Sequence, residues 1–255
     1  MSLKYIQTKN NLVVTFPDGK NITLANKTKD GRQALKFVKT NDIKGLENLV
    51  YPLAGITEWT KGQIKVDKGR VKIGEDRIPL FLAKKILEFK KSKLPYKPLL
   101  KFWSNLKSNP SKASKENLYE FLEKNNYPIT DNGNFIAYKK VTLVDGVLKD
   151  SYTKTIDNSV GKVVKMKRSD VDDNPEQTCS NGLHAAAWDY AKDYSGDVLV
   201  EVLVNPKNVV AVPRDYNAQK MRVCEYKVIR ELDQKEAKER TELFVSEKSL
   251  FSKRK

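Results

Sequence analysis

The feature that most constrains this chain is the run at residues 197–204. Val198, Val200 and Val202 alternate there with a period of two residues, which fits a β-strand and no helix. Segments of the same kind recur around it. Residues 135–138, 161–166, 209–212 and 222–229 read as strands, and the pattern begins after the turn signal Asp131-Asn132-Gly133. Residues 170–175 form a polar loop. Residues 184–194 read as a helix ended by Gly196. Residues 231–245 read as a mixed-charge helix in which Glu231, Lys235 and Glu239 recur every four residues, followed by the basic end Lys253-Arg254-Lys255. A long segment of this kind must close into a sheet with flanking helices.

The front of the chain is organised differently. Alternating Leu3, Tyr5 and Gln7, a run at 12–16, the pair Asp18-Gly19 and a run at 22–24 predict a hairpin. Residues 30–50 have helical spacing, and residues 62–78 predict a second hairpin turning at Asp67-Lys68-Gly69. Pro79 suits the first turn of a basic amphipathic helix over 80–91, with Leu82, Ile86 and Phe89 on one side. Pro95 and Pro98 break it. A short helix follows with Leu99, Phe102, Trp103 and Leu106 on one face. A further helix capped by Ser114 carries Leu118, Tyr119, Phe121 and Leu122, and stops at Asn125-Asn126 before Pro128. The expected class is α+β: a basic N-terminal β-hairpin/helix module (1–97), a helical connector (98–130), a C-terminal mixed or antiparallel sheet domain with flanking helices (131–230), and a charged C-terminal helix and tail (231–255).

Charge narrows the partners. The net charge is +16, and residues 1–112 hold 24 Lys+Arg against 9 Asp+Glu, whereas residues 113–255 hold 24 against 23. A local positive field attracts polyanions. Nucleic acid is the first expectation and an anionic membrane surface the second; Lys84, Lys85, Lys90, Lys91, Lys97 and Lys101 are the contact candidates. A solvated charged face is the plain alternative. No apolar run approaches the roughly 20 residues of a membrane span. The first residues lack the apolar core of a secretory signal, and two cysteines suit a reducing compartment, so the cytoplasm is expected.

The chemistry-bearing block surrounds the single histidine, in Thr178-Cys179-Ser180-Asn181-Gly182-Leu183-His184. Zinc is not expected, because Cys179, Cys224 and His184 supply only three ligands and Asp172 or Asp173 would have to complete the set of four. Cys179 with His184 is a candidate nucleophilic pair, while Cys224 in an alternating strand reads as a core thiol. A strand with Tyr138, then Gly-Leu-His before a helix, then a valine-rich strand is similar to ADP-ribosyltransferase-like domains, with Glu201 or Glu225 as the only acid candidates. No Walker loop or GxGxxG is present, and no cofactor is expected. Arg168, Asp172, Asp173, His184, Asp215, Lys220 and Arg222 all fall at strand ends or loops. If they converge they form an anion-holding pocket with the two arginines as forks. The competing reading is architectural: Asx turns at 172–175, turn chemistry at Asn181-Gly182, and His184 as a helix cap or carbonyl partner.

Three ordered blocks carry a family resemblance. The first runs from Phe102-Trp103-Ser104-Asn105-Leu106 through Asn109-Pro110-Ser111 and Tyr127-Pro128-Ile129-Thr130 to Phe135-Ile136-Ala137-Tyr138. The second holds Asp157-Asn158, Arg168, Val171-Asp172-Asp173-Asn174-Pro175 and the histidine block. The third holds Val204-Asn205-Pro206, Asp215-Tyr216-Asn217 and Lys220-Met221-Arg222-Val223-Cys224-Glu225-Tyr226. Over about residues 100–230 the chain resembles the phage rapid-lysis B (rIIB-like) family. The resemblance implies a phage-encoded protein of the host cytoplasm, sometimes found with membrane, acting in host takeover, lysis inhibition and its timing, and exclusion by resident prophages. It implies no reaction. A phage or host protein partner, docked through 231–245 or the apolar connector, is a further expectation.

Overall fold

The computed structural model describes residues 2–53, 55–67, 69–233 and 238–251. It divides into two compact units, Met1–Ile78 and Pro79–Lys255.

In the first unit, β1 (Lys4–Gln7), β2 (Asn11–Thr15) and β3 (Asn21–Ala25) form an antiparallel meander. The Asp18-Gly19 turn closes its second hairpin, with Gly19 at φ +86°. Helices α1 (Lys29–Lys39) and α2 (Ile43–Val50) cover the sheet, capped by the side chains of Thr28 and Asp42, which accept from the N–H groups of Gly31 and Gly45. Leu12, Val14 and Phe16 pack with Ala34, Val38 and Leu46. Gly31 is required where α1 crosses the end of β3: a Cβ there would lie 2.1 Å from the Ala25 carbonyl oxygen. A short α3 (Ile56–Trp59) leads to the antiparallel β4 (Ile64–Asp67), β5 (Arg70–Ile73) and β6 (Asp76–Arg77). Lys68, in the expected turn, lies outside the described residues.

The second unit begins with α4 (Leu80–Lys91), α5 (Lys97–Lys107) and α6 (Lys112–Lys124). The cap of α6 is Ser111, not Ser114. The Ser114 N–H donates to Ser111 Oγ at 3.1 Å, and the buried Ser114 hydroxyl accepts from Arg168 instead. The sheet follows with β7 (Ile129–Thr130), β8 (Phe135–Val144), β9 (Val147–Asp150), β10 (Val163–Lys165) and β11 (Leu183–Ala186), then α7 (Trp188–Asp193). It continues with β12 (Val198–Val204), β13 (Val209–Ala211), β14 (Lys220–Val223), β15 (Glu225–Leu232) and β16 (Phe244–Val245), and α8 (Glu247–Phe251) comes last.

Its order is β10-β15-β12-β8-β11-β14-β13, with β9 on β8 and β7 between β8 and β16. These pairs are antiparallel apart from β7–β16, which makes the fold α+β with a largely antiparallel sheet. The valine run is the central strand β12, buried on both faces from Leu199 onward. Phe102, Phe121, Tyr127 and Phe135 form an aromatic core between α5, α6 and the sheet. Gly133, at φ +71°, lets its turn lie against α5, because a Cβ there would sit 2.3 Å from the Phe102 nitrogen.

Two expected helices differ. Residues 184–194 are helical only in α7, since Leu183–Ala186 pairs with β14 on one side and β8 on the other. Ladder bonds and burial of Leu183, Ala185 and Ala186 outweigh the helix propensity of alanine. At its described ends the expected helix over 231–245 is replaced by strand: Glu231 and Leu232 finish β15, and Phe244–Val245 pairs with β7. Lys235 and the Lys253-Arg254-Lys255 tail lie outside the described residues.

Candidate functional site

His184 lies in β11 opposite Arg222 of β14 and so cannot cap a helix. Its backbone oxygen accepts from Lys139 Nζ at 3.1 Å. Burial, and then the positive charges of Lys139, Arg222 and Lys220, push the imidazole down to about 4. Burial likewise pushes Lys139 down to about 8, with Asp150 opposing it. His184 is therefore neutral at physiological pH. Because the folded value lies below the unfolded one, the unfolded chain takes up the proton first. Stability from this group is complete above about pH 6.5 and declines as pH falls toward 4, by up to about 3 kcal/mol. Urea unfolding at pH 7 and pH 4.5 should show this loss in the native chain and a smaller one in His184→Gln. An imidazole NMR titration with its midpoint near 6.5 would contradict the assignment.

Arg222 is fully buried, and its guanidinium donates to three loop carbonyls: Nε to Asp172 O at 2.8 Å, Nη1 to Gln177 O at 2.7 Å and Nη2 to Asn174 O at 2.6 Å. Gly182 packs over its stem. Arg168 donates to Lys207 O, Asn109 Oδ1, Ser114 Oγ and Val209 O at 3.0–3.1 Å. The two expected anion forks are thus two internal clamps gripping different loops. Asp172 accepts from the Asn174 N–H, and Ser180 and Asn174 hold its carboxyl below the usual range, as in an Asx turn. Asp173 is exposed.

Lys220, also buried, stands 2.8 Å from Asp215 Oδ2, off the hydrogen-bonding direction, so neither oxygen of that carboxylate accepts a hydrogen bond. Its ammonium is 4.8 Å from the Tyr216 ring and 5.7 Å from that of Tyr190. Cys179 is exposed. Cys224 is half-buried between β14 and β15 and not the core thiol expected, because its N–H pairs with Asn208 O at the break between those strands. Both thiols are free.

Tyr138 is buried edge-on to Trp188, and its hydroxyl accepts from the Arg240 N–H. Opposite it in the register, Glu201 is fully buried and held bidentately by two arginines, with Arg230 and Arg240 each donating two bonds of 2.8–2.9 Å. Glu225 pairs with Lys165 at 3.0 Å. Both candidates for the acid of an ADP-ribosyltransferase-like reading are engaged by cations. Sequence reasoning missed Arg230 and Arg240, although a glutamate inside a valine run signals a buried charge that must find partners.

The lysine candidates separate by burial. Lys84, Lys91, Lys97 and Lys101 are exposed and Lys90 is half-buried. Lys84 pairs with Glu123 at 3.2 Å, and Lys101 donates to the neutral amide of Asn132. Lys85 is buried against expectation, lying 4.5 Å over the Tyr127 ring and 3.4 Å from Glu88, because its position on α4 faces α6 and Tyr127. Residues 79–112 hold nine Lys and one acid, whereas residues 1–78 hold 15 Lys+Arg against 8 Asp+Glu. The excess charge is therefore densest on α4 and α5 of the larger unit. Among the described residues, no helix is long and apolar enough to cross a membrane.

A family model described as bacteriophage T4 protein rIIB matches residues 4–239, extending the resemblance through the front of the chain. Protein rIIB of Enterobacteria phage T4 is 34% identical over 179 residues, which cover 69% of this chain and 56% of that protein. The match thus spans little over half the length of that relative. No solved structure matches. With three ordered residue blocks, an α+β fold and a family match over most of its length, the chain belongs to the bacteriophage T4 rIIB family.

Proposed function

We propose that this protein is a phage accessory factor that binds nucleic acid through the exposed lysines of α4 and α5, acting in the host cytoplasm during takeover and the timing of lysis. One observation carries the reading: nine lysines against a single acid in residues 79–112. Lys84 and Lys91 are two turns apart on α4, and Lys97 and Lys101 one turn apart on α5, so each pair shares a helix face. Such a surface acts by neutralising phosphates and releasing counterions, without reading sequence. Lys85 is excluded from it by burial.

The test is fluorescence anisotropy with a labelled oligonucleotide, comparing the native chain with the triple variant Lys91→Gln, Lys97→Gln, Lys101→Gln. Loss of three phosphate contacts should weaken binding about 10-fold or more at low salt. Equal affinity contradicts the proposal. Capture on phosphatidylserine vesicles that the triple variant loses, with oligonucleotide ignored, assigns the surface to lipid instead.

A further inference from the structure

We infer that the cavity between α4 and the C-terminal end of α6 is a binding site for a small zwitterion, an α-amino acid with an apolar side chain. Phe81, Lys84, Lys85 and Glu88 line it from α4, spaced i, i+3, i+4 and i+7 on one helix face. Leu122 and Glu123 of α6, with Tyr127 beyond its end, line the other side of a volume of about 220 Å³. Lys91, Lys97 and Lys101 do not line it, so the site is separate from the lysine surface proposed above.

Tyr127 is the residue that points to a ligand. It is 2% exposed, yet its hydroxyl has no hydrogen-bond partner in the protein. Folded chains normally satisfy such groups, because an unpaired buried hydroxyl has lost its water for nothing in return. Burial, and then Glu88, push the phenol up, so it stays a neutral O–H donor. The Lys85 ammonium lies 4.5 Å over the same ring, 8% exposed, with Glu88 Oε2 at 3.4 Å. Burial pulls Lys85 down and Glu88 opposes it, so a second anion beside this ammonium is favourable. The two buried groups together offer donors to an anionic oxygen.

Charge sets the class of occupant. Two lysines and two glutamates line the cavity, so an ion of either sign would meet like charge as well as opposite. A molecule neutral overall fits, with an anionic group for Lys85 and Tyr127 and a cationic group for Glu88. Lys85 and Glu88 are neighbours, so the two groups must also be adjacent in the ligand, as the carboxylate and ammonium of an α-amino acid are. Phe81 and Leu122, both buried, give its side chain an apolar wall. A cavity of about 150 Å³ holds benzene, so this one takes roughly nine non-hydrogen atoms, the size of leucine. Lys84 and Glu123, paired at 3.2 Å and both exposed, stand at its opening.

The test titrates L-leucine into the intact chain and follows its amide NMR shifts, which should move on α4 and over residues 122–127. Leucinamide, which lacks the carboxylate, and isocaproate, which lacks the ammonium, should each bind about 10-fold more weakly. Tyr127→Phe should weaken leucine binding about 10-fold and leave the melting temperature unchanged or higher, since it removes an unpaired hydroxyl. Glu88→Gln, at an exposed position, should weaken binding to a similar degree even if Tyr127→Phe disturbs the core. No shift with leucine at roughly 10 mM leaves the cavity to water and overturns the inference. Leucinamide or isocaproate binding as tightly as leucine, or leucine binding that both variants keep, overturns it as well. A lowered melting temperature with unchanged affinity in Tyr127→Phe gives the hydroxyl a structural role and does the same.

Discussion

Glu201→Gln should lower the melting temperature of the larger unit by about 10 °C, the largest loss expected of any single substitution outside the aromatic core. The carboxylate has no exposure and takes four hydrogen bonds from two guanidiniums. A neutral amide offers one oxygen where two anionic oxygens stood, and its NH2 faces donors. Arg240, the more buried of the two arginines, is then left with only the exposed carboxylate of Glu242, at 3.3 Å, against its charge. Breaking a buried pair from one side costs about 3–5 kcal/mol, because the remaining charge has lost its water and its partner together. The same contact ties residues 238–245 to the sheet through Arg240, so hydrogen exchange should rise there. A thermal melt shifted by less than about 2 °C would show that the cluster contributes nothing net. Replacing Glu201, Arg230 and Arg240 together by apolar residues should be far milder than Glu201→Gln alone, since no orphaned charge remains.

Arg222→Lys should cost about 3 kcal/mol or more and open the loop over residues 172–177. The charge is conserved, but one ammonium cannot span three carbonyls arranged around a planar fork. At least one of the Asp172, Asn174 and Gln177 oxygens loses its charged donor, and the lysine nitrogen is left buried. Amide exchange over 172–181 should accelerate before the sheet core does. This separates the clamp role from an anion-binding role: an anion fork changes ligand affinity with little change in stability, whereas a clamp does the reverse. Unchanged stability and exchange in Arg222→Lys would return Arg222 to the list of ligand donors.

Where neighbours in sequence determine the outcome, the sequence was readable. The helix over 80–91 is found as Leu80–Lys91, and Asp18-Gly19 turns a hairpin. Asp145-Gly146, with φ of +52° and +76°, carries the same hairpin signal before β9. Where distant residues decide, the reading failed. Ala185-Ala186 reads as helix by propensity and becomes strand only because β8 and β14 flank it. Ser114 looks like a cap until Arg168, 54 residues away, takes its hydroxyl.

The site reading shows the same division. Residues that carried the family resemblance, such as Asn109, Asn158, Arg168 and Arg222, hold loops by long-range bonds: Asn109 Nδ2 donates to Pro206 O and Val209 O, and Asn158 accepts from the buried Tyr226 hydroxyl. A one-dimensional pattern cannot distinguish such clamps from ligand donors, because both need the same polar side chains at loop positions. The tyrosines around Lys220 were missed for a related reason: Tyr190 and Tyr216 are 26 residues apart and meet only through the β11–β14 pairing.

The most direct test of the lysine surface is the salt dependence of oligonucleotide binding by the intact chain, measured by anisotropy between about 50 and 200 mM salt. Three to six lysine–phosphate contacts require log Kobs to fall with log salt at a slope of about −2 to −4 on a single strand. A slope near zero, or no binding at the lowest salt, would contradict it.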